Sequence, residues 1–388
     1  MKWGLMENAI SFADKLKLVK FVLCNDRFTN GEKVKELEYA WNDWLGSKYS
    51  LFVSSGSTAN FLLLASIKEK YRLKRGDKVL VPACTWMTNV APIIQLGLTP
   101  IFCDIQFDDF SFDHEELEYI SKKHQDIKLI FVTHLLGFTS TSRDTRLLNI
   151  LFPEAIIIDD VCESHGCTGF DERKIGADSL GATFSTYFGH HLTSIEGGFV
   201  STNDASLYDL MKMKRSHGMA RESVVFDYYA DLYKDIDKSF LFITDGYNFR
   251  NTELNAVLGL SQLSKLDKSI KIRNENYKKF CDLTKSFWYC IRPMDYVESS
   301  SNFCFPIICD NTQVKNKLVK KLKENEIEYR PIVSGNLLRH PFLKGHKICS
   351  KKKYLNVDFM HTNGLYIGNN QFITDKHLLK LEEILDQL

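Results

Sequence analysis

The chain has 388 residues, 44% of them hydrophobic and 12% aromatic, enough to bury a sizeable core in one large domain with a smaller companion. Fifty basic residues against 49 acidic ones leave a formal net charge of +1, which excludes an overall field that would recruit nucleic acid or an anionic membrane surface. Ten cysteines are scattered without a C-x-x-C pair, and no stretch reaches about 18 uncharged apolar residues, so free thiols and a cytoplasmic, non-membrane protein are expected.

The opening, MKWGLMENAISFADKLKL, sets charges among its apolar residues and lacks a signal peptide's continuous apolar core. Between residues 50 and 200, β-rich runs alternate with helical segments: SLFVSS before STANFLLLASIKEKY, KVLVP before TNVAPIIQLG, then TPIFCDI, IKLIFVTHL and AIIIDD. That rhythm predicts an α/β fold with a mixed, mostly parallel sheet under helices, and ligands at the carboxyl ends of the strands. From Glu253, ELNAVLGLSQLSKLDKSIKIRNENYKKFCDL has apolar residues at helical spacing and reads as one long connecting helix. Beyond it, NFCFPIIC, KNKLVKKLKENEI, GLYIGN and DKHLLKLEEILDQL predict a smaller α/β domain. The expected division is a large domain over 1–262 and a small C-terminal domain over 263–388, closely packed because no Pro/Gly-rich linker intervenes.

Three stations carry chemistry. In LFVSSGSTANFLLL a β-run breaks at Ser54-Ser55-Gly56-Ser57-Thr58 and resumes as a helix, a turn that offers backbone N–H groups and hydroxyls to an anion or simply caps the helix. In AIIIDDVCESHG a strongly β-branched run ends in Asp159, Asp160 and then Glu163. A carboxylate at a strand's end can keep a heteroaromatic nitrogen protonated through a charge-assisted hydrogen bond; a magnesium ligand or helix cap is the alternative. The third station runs from Ser185 through His190 and His191 to Glu196-Gly197-Gly198. Adjacent histidines lack the i, i+4 spacing of a helical zinc pair, and no Cys/His cluster surrounds them, so no metal is expected.

In this order the stations resemble the DegT/DnrJ/EryC1/StrS family of sugar aminotransferases, which are fold-type I pyridoxal-phosphate (PLP) proteins. The resemblance runs from about residue 25 to the end and makes the large domain the cofactor-binding one. The family's Ser-Gly-(Ser/Thr) phosphate turn matches Ser55-Gly56-Ser57-Thr58, with Ser185 as a further cofactor contact, and its stacking aromatic matches Trp86. Its Glu-Asp-Ala-Ala-Gln-x-His-Gly strand end matches Asp159 to Gly166, which makes Asp160 the partner of the pyridine nitrogen and Glu163 the neighbour of the ring hydroxyl. GYNFRNTELN resembles the Gly-Tyr-Asn-Tyr-Arg helix entrance, whose asparagine, here Asn248, reaches the phosphate of the neighbouring subunit and implies a homodimer.

The departure from the family is at residue 190. Five residues after the serine the family has its Schiff-base lysine, whereas Ser185 is followed at that distance by His190. An imidazole cannot tether the cofactor but can move a proton near neutral pH. This exchange, with a second histidine following, marks the family's sugar 3-dehydratases, which act on a GDP-4-keto-6-deoxy sugar or on a CDP-hexulose. The implied activity is removal of the 3-hydroxyl from a nucleotide-linked 4-keto-6-deoxy sugar. Pyridoxamine phosphate (PMP) would form from L-glutamate, His190 would be the catalytic acid and base, and ammonia would be released. His217, Arg250, Glu328 and Arg330 are the expected substrate contacts, and His191 a supporting residue. The iron–sulfur dehydratases need a C-x-C pair that this chain lacks, which favours the metal-free, GDP-linked branch over a CDP-sugar dehydratase with a reductase. A binding protein that kept the fold after losing its lysine is the alternative from outside enzymes.

Overall fold

The computed structural model describes residues 2–140, 146–348 and 353–388. Seven strands form the larger sheet: β1 Tyr49–Val53, β2 Lys78–Pro82, β3 Thr99–Cys103, β4 Ile127–Thr133, β5 Ile156–Asp160, β6 Ala182–Ser185 and β7 Gly198–Thr202. Their spatial order is β1-β7-β6-β5-β4-β2-β3. The run β6-β5-β4-β2-β3 is parallel, whereas β7 pairs antiparallel with both β1 and β6. This is the mixed, mostly parallel sheet expected from the alternation of runs. Leu129, Phe131, Ile158 and Val200 from its strands are fully buried and share one core with residues of the smaller sheet, among them Phe305 and Ile307.

That smaller sheet has the order β10-β11-β9-β8, from β8 Ile291–Arg292, β9 Cys304–Cys309, β10 Tyr329–Arg330 and β11 Gly364–Gly368, all paired antiparallel. The two sheets follow one another along the chain, but the start of the chain does not stay with the first. Trp3 bridges to Ile327 and packs its ring on Phe305 and His377, so residue 3 lies beside the second sheet. The indole is buried there, which stabilises the contact by removing apolar surface from water.

The connecting segment is two helices, Glu253–Leu263 and Leu266–Lys285, instead of one. At the break the Ser264 hydroxyl donates to the Ser261 carbonyl at 2.9 Å, and the Lys265 amine turns to the buried Asp14 carboxylate at 2.7 Å. A serine bonding back onto its own helix competes with the backbone ladder, and helical periodicity does not reveal this.

Candidate active site

The carboxyl ends of the parallel strands face the second sheet across a cavity of about 340 Å³. Gly56, Ser57, Trp86, Asp160, Glu163, Ser185, His190 and Arg330 all line it.

At the end of β1, Ser55 caps the helix Gly56–Lys70 in a capping box with Thr58, so the first-turn N–H groups of Gly56 and Ser57 open into the cavity. The turn fits tightly on its neighbours. A β-carbon at Gly56 would lie 2.6 Å from Ser185 Cβ and 3.1 Å from Cys162 Sγ, which holds Ser185 against the turn. Trp86, 53% exposed, caps the helix Met87–Gln95 and stands on the cavity wall.

Along β5 the side chains alternate, and this separates the two aspartates. Asp159 is buried outside the cavity against His134 and Ser179. Asp160 lines the cavity: its Oδ2 accepts from Asn60 Nδ2 at 3.0 Å and Asn89 Nδ2 at 2.8 Å, and its Oδ1 accepts the Cys162 N–H at 2.9 Å. Three neutral donors thus fix the carboxylate at the cavity wall. Asn60 and Asn89 were missed in the sequence. Each is an amide within a helical segment and is fully buried here, satisfied through Asp160.

Glu163 Oε2 accepts the Leu136 N–H at 2.9 Å. Burial pushes the Glu163 carboxyl up to about 7, opposed by that N–H and assisted by the charge of Asp160. The donor is presented by a strained backbone, for Leu136 has φ +55°. Gly137 follows with φ +95°, and a β-carbon there would run into the backbone of Ser301, Asn302 and Phe303. The loop from His134 is therefore clamped between the two sheets.

His190 lies on the turn after β6, its N–H donating to the Tyr187 carbonyl at 3.0 Å and its ring 5.4 Å from that of Phe303. Its Nδ1 is enclosed without a hydrogen-bond partner, which leaves Nε2 as the nitrogen available to the cavity. Burial, with the Arg273 guanidinium adding to it, lowers the imidazole to about 4, so it is neutral at physiological pH. His134 also lines the cavity, but Nδ1 accepts the Ser140 N–H at 3.1 Å and Nε2 therefore carries the proton given to Asp159. Both of its nitrogens are occupied. His191 points away from the cavity, with Nε2 2.9 Å from the Ser301 carbonyl oxygen, and is buried.

Four expected residues are not brought to this cavity. Asn248, Arg250 and His217 form a cluster at the molecular surface, with Arg250 Nε donating to Asn248 Oδ1 at 3.1 Å and the Arg250 guanidinium 3.4 Å from His217 Nε2. Glu328 is taken up elsewhere: its Oε2 accepts the Leu5 N–H at 3.1 Å. Phe303, Tyr366 of β11 and the pair Leu5 and Met6 line the cavity without having been singled out, because neither an aromatic in or beside a strand nor an apolar residue of irregular chain announces a pocket.

Comparison with known proteins agrees with this geometry. The model of the DegT/DnrJ/EryC1/StrS aminotransferase family matches residues 11–380. A GDP-4-keto-6-deoxy-D-mannose 3-dehydratase of Escherichia coli O55:H7 is 34% identical over 375 residues, covering 95% of this chain and 96% of that protein. The solved structure of an E. coli GDP-4-keto-6-deoxy-D-mannose-3-dehydratase with bound hydrated PLP superposes with a TM-score of 0.91 at 32% identity over 99% of each chain. A GDP-4-keto-6-deoxymannose-3-dehydratase with a trapped PLP-glutamate geminal diamine gives the same TM-score and identity over 99% of this chain and 100% of that one. With the family model matching nearly its whole length and a relative 34% identical over 95% of it, the chain belongs to the DegT/DnrJ/EryC1/StrS aminotransferase family.

Proposed function

We propose that this chain is a PMP-dependent 3-dehydratase of a GDP-linked 4-keto-6-deoxy sugar, with L-glutamate as the amino donor. The half-buried His190 on the cavity wall carries this reading, because it follows Ser185 at the spacing at which, by the family resemblance, the aminotransferases carry their Schiff-base lysine.

The residues present fit a phosphorylated pyridine. The helix N-terminus at Gly56 and Ser57, with the Ser185 hydroxyl pressed against it, would hold the phosphate. Trp86 would cover the ring face, Asp160 would keep the ring nitrogen protonated, and Glu163 would meet the ring oxygen. Bound there, the cofactor supplies the amine that meets the C4 ketone and the electron sink that lets a C3 substituent leave. The chain's own contribution is proton movement and enclosure. His190, neutral and free at Nε2, takes a proton from carbon and returns it to the departing C3 hydroxyl, which leaves as water. Phe303 and Tyr366 close the side facing the second sheet. Arg330 offers a guanidinium fork to an anionic group of the substrate or of glutamate. Overall, glutamate gives up two electrons and its nitrogen, yielding 2-oxoglutarate, ammonia and a 3,6-dideoxy-4-keto sugar, with no other electron donor.

The same reading makes Asn248, beside Arg250 and His217 at the surface, a contact to the phosphate of a second copy, which gives a two-fold homodimer with composite sites. No described helix is long and apolar enough to cross a membrane, and a cytoplasmic location fits the free cysteines. The deciding experiment supplies purified protein with PLP, L-glutamate and GDP-4-keto-6-deoxymannose, then measures ammonia and the sugar's mass. Loss of one oxygen with stoichiometric ammonia is expected. An unchanged sugar, or one carrying an amino group at C4, would refute the reading.

A further inference from the structure

The segment Trp3–Met6 belongs to no helix or strand, yet it is built into the site. Trp3 enters the second sheet as an added edge: its N–H donates to the Glu326 carbonyl at 3.1 Å, and its own carbonyl accepts the Glu328 N–H at 2.8 Å. Its indole Nε1 donates to the Gly368 carbonyl at 2.8 Å. Gly4 is pressed on the end of β11, where a β-carbon at Gly368 would strike the Gly4 and Leu5 backbone. Glu328 then takes the Leu5 N–H, which fixes the direction in which the chain leaves the sheet. That direction carries Leu5 and Met6 into the cavity wall.

Met6 ends against the turn that bears His190. Its thioether fills the space a β-carbon at residue 189 would occupy. Gly189 is not among the residues with positive φ, so its backbone does not demand glycine; a β-carbon there would have to displace either the Met6 thioether or the turn. Both residues line the cavity, next to His190. A flexible, polarizable side chain is suited to filling such a gap without a hydrogen bond to satisfy.

We propose that Met6, aimed by the Trp3–Leu5 anchor, is a positioning residue for His190 and part of the wall that shapes the substrate side of the site; this rests on the reading of His190 as the proton-transferring group. The Glu328 carboxylate then serves this anchor rather than the substrate. A glycine at 189 lets the thioether set the height of the turn, and displacement of the turn displaces the imidazole.

Four full-length, cofactor-loaded proteins test this: wild type, Met6→Ala, Gly189→Ala and the double variant. Misplacing a catalytic group by about 1 Å costs on the order of 100-fold, so Gly189→Ala should lose about that much in kcat for ammonia release, with a smaller change in KM. Removing the sulfur should relieve the collision, and the double variant should recover to within about tenfold of wild type. A fifth protein, Met6→Leu, keeps the bulk and should stay close to wild type. Unfolding midpoints of the same four proteins read the contact independently of catalysis and should show the same recovery. A double variant no faster and no more stable than Gly189→Ala, or a Gly189→Ala protein at the wild-type rate, would overturn the proposal. Wild-type protein that releases no ammonia from any GDP-4-keto sugar would instead overturn the functional reading, and the catalytic half of this proposal with it.

Discussion

Replacing Gly56 by alanine tests the phosphate turn at a single methyl group. The added β-carbon would sit 2.6 Å from Ser185 Cβ, 3.0 Å from Ser185 Oγ and 3.1 Å from Cys162 Sγ, where ordinary contact begins at 3.4 Å. The nearest obstacle is not the end of a flexible side chain. Ser185 belongs to β6 and is paired with Gly198 of β7, so the turn rather than the strand has to give. Overpacking of this kind costs about 1–3 kcal/mol, and a turn lifted off its neighbours presents its N–H groups to the phosphate at the wrong height. Cofactor affinity should therefore fall about five- to 150-fold. Absorbance titration of cofactor-stripped Gly56→Ala with PLP, beside the wild type, measures this directly, and the unfolding midpoint shows whether the helix Gly56–Lys70 is intact. If a normally melting variant binds PLP as tightly as wild type, the phosphate does not lie in this turn and the assignment of Gly56, Ser57 and Ser185 fails.

The remaining expectations address the other parts of the site. His190→Asn should retain PLP, since Asp160, Glu163 and Trp86 are untouched, but lose about 10²–10⁴-fold in ammonia release; a near-normal rate would remove His190 from the mechanism. Because burial holds His190 at about 4 in the folded chain against an ordinary value of 6.5, the unfolded chain takes up this proton first. The stability tied to the neutral ring is thus complete above about pH 6.5 and is lost as pH falls toward 4, up to about 2 kcal/mol by pH 5. Denaturant midpoints at pH 7.5 and 5 should accordingly fall less in His190→Asn than in wild type, and equal falls would contradict the pKa assignment. Asn248→Ala should weaken PLP binding without touching its own chain's cavity, and sedimentation should show a dimer; a fully active monomer would exclude a composite site.

Much of this protein is decided by sequence-local physics. A β-branched run such as AIIID favours a strand, and a Ser-Gly-Ser break before an apolar helix caps that helix by itself, so the sheet, the capped turn and the carboxylate at the end of β5 were legible. The histidine at 190 was legible too, as a residue whose chemistry differs from the lysine expected there. The pairing of Asp160 with Asn60 and Asn89 was not, because it brings together residues 100 and 71 positions apart. Nor was the surface cluster of Asn248, Arg250 and His217, which single-chain spacing cannot separate from a pocket lining. The start of the chain shows the limit most clearly. Trp3 and Met6 carry no periodicity and no motif, and only the close approach of the second sheet to the turn at Gly189 gives an indole an edge to cap and a thioether a gap to fill. Such contacts depend on how two finished sheets meet, and the free energy that fixes them comes from burial across that meeting rather than from any local preference of the residues involved.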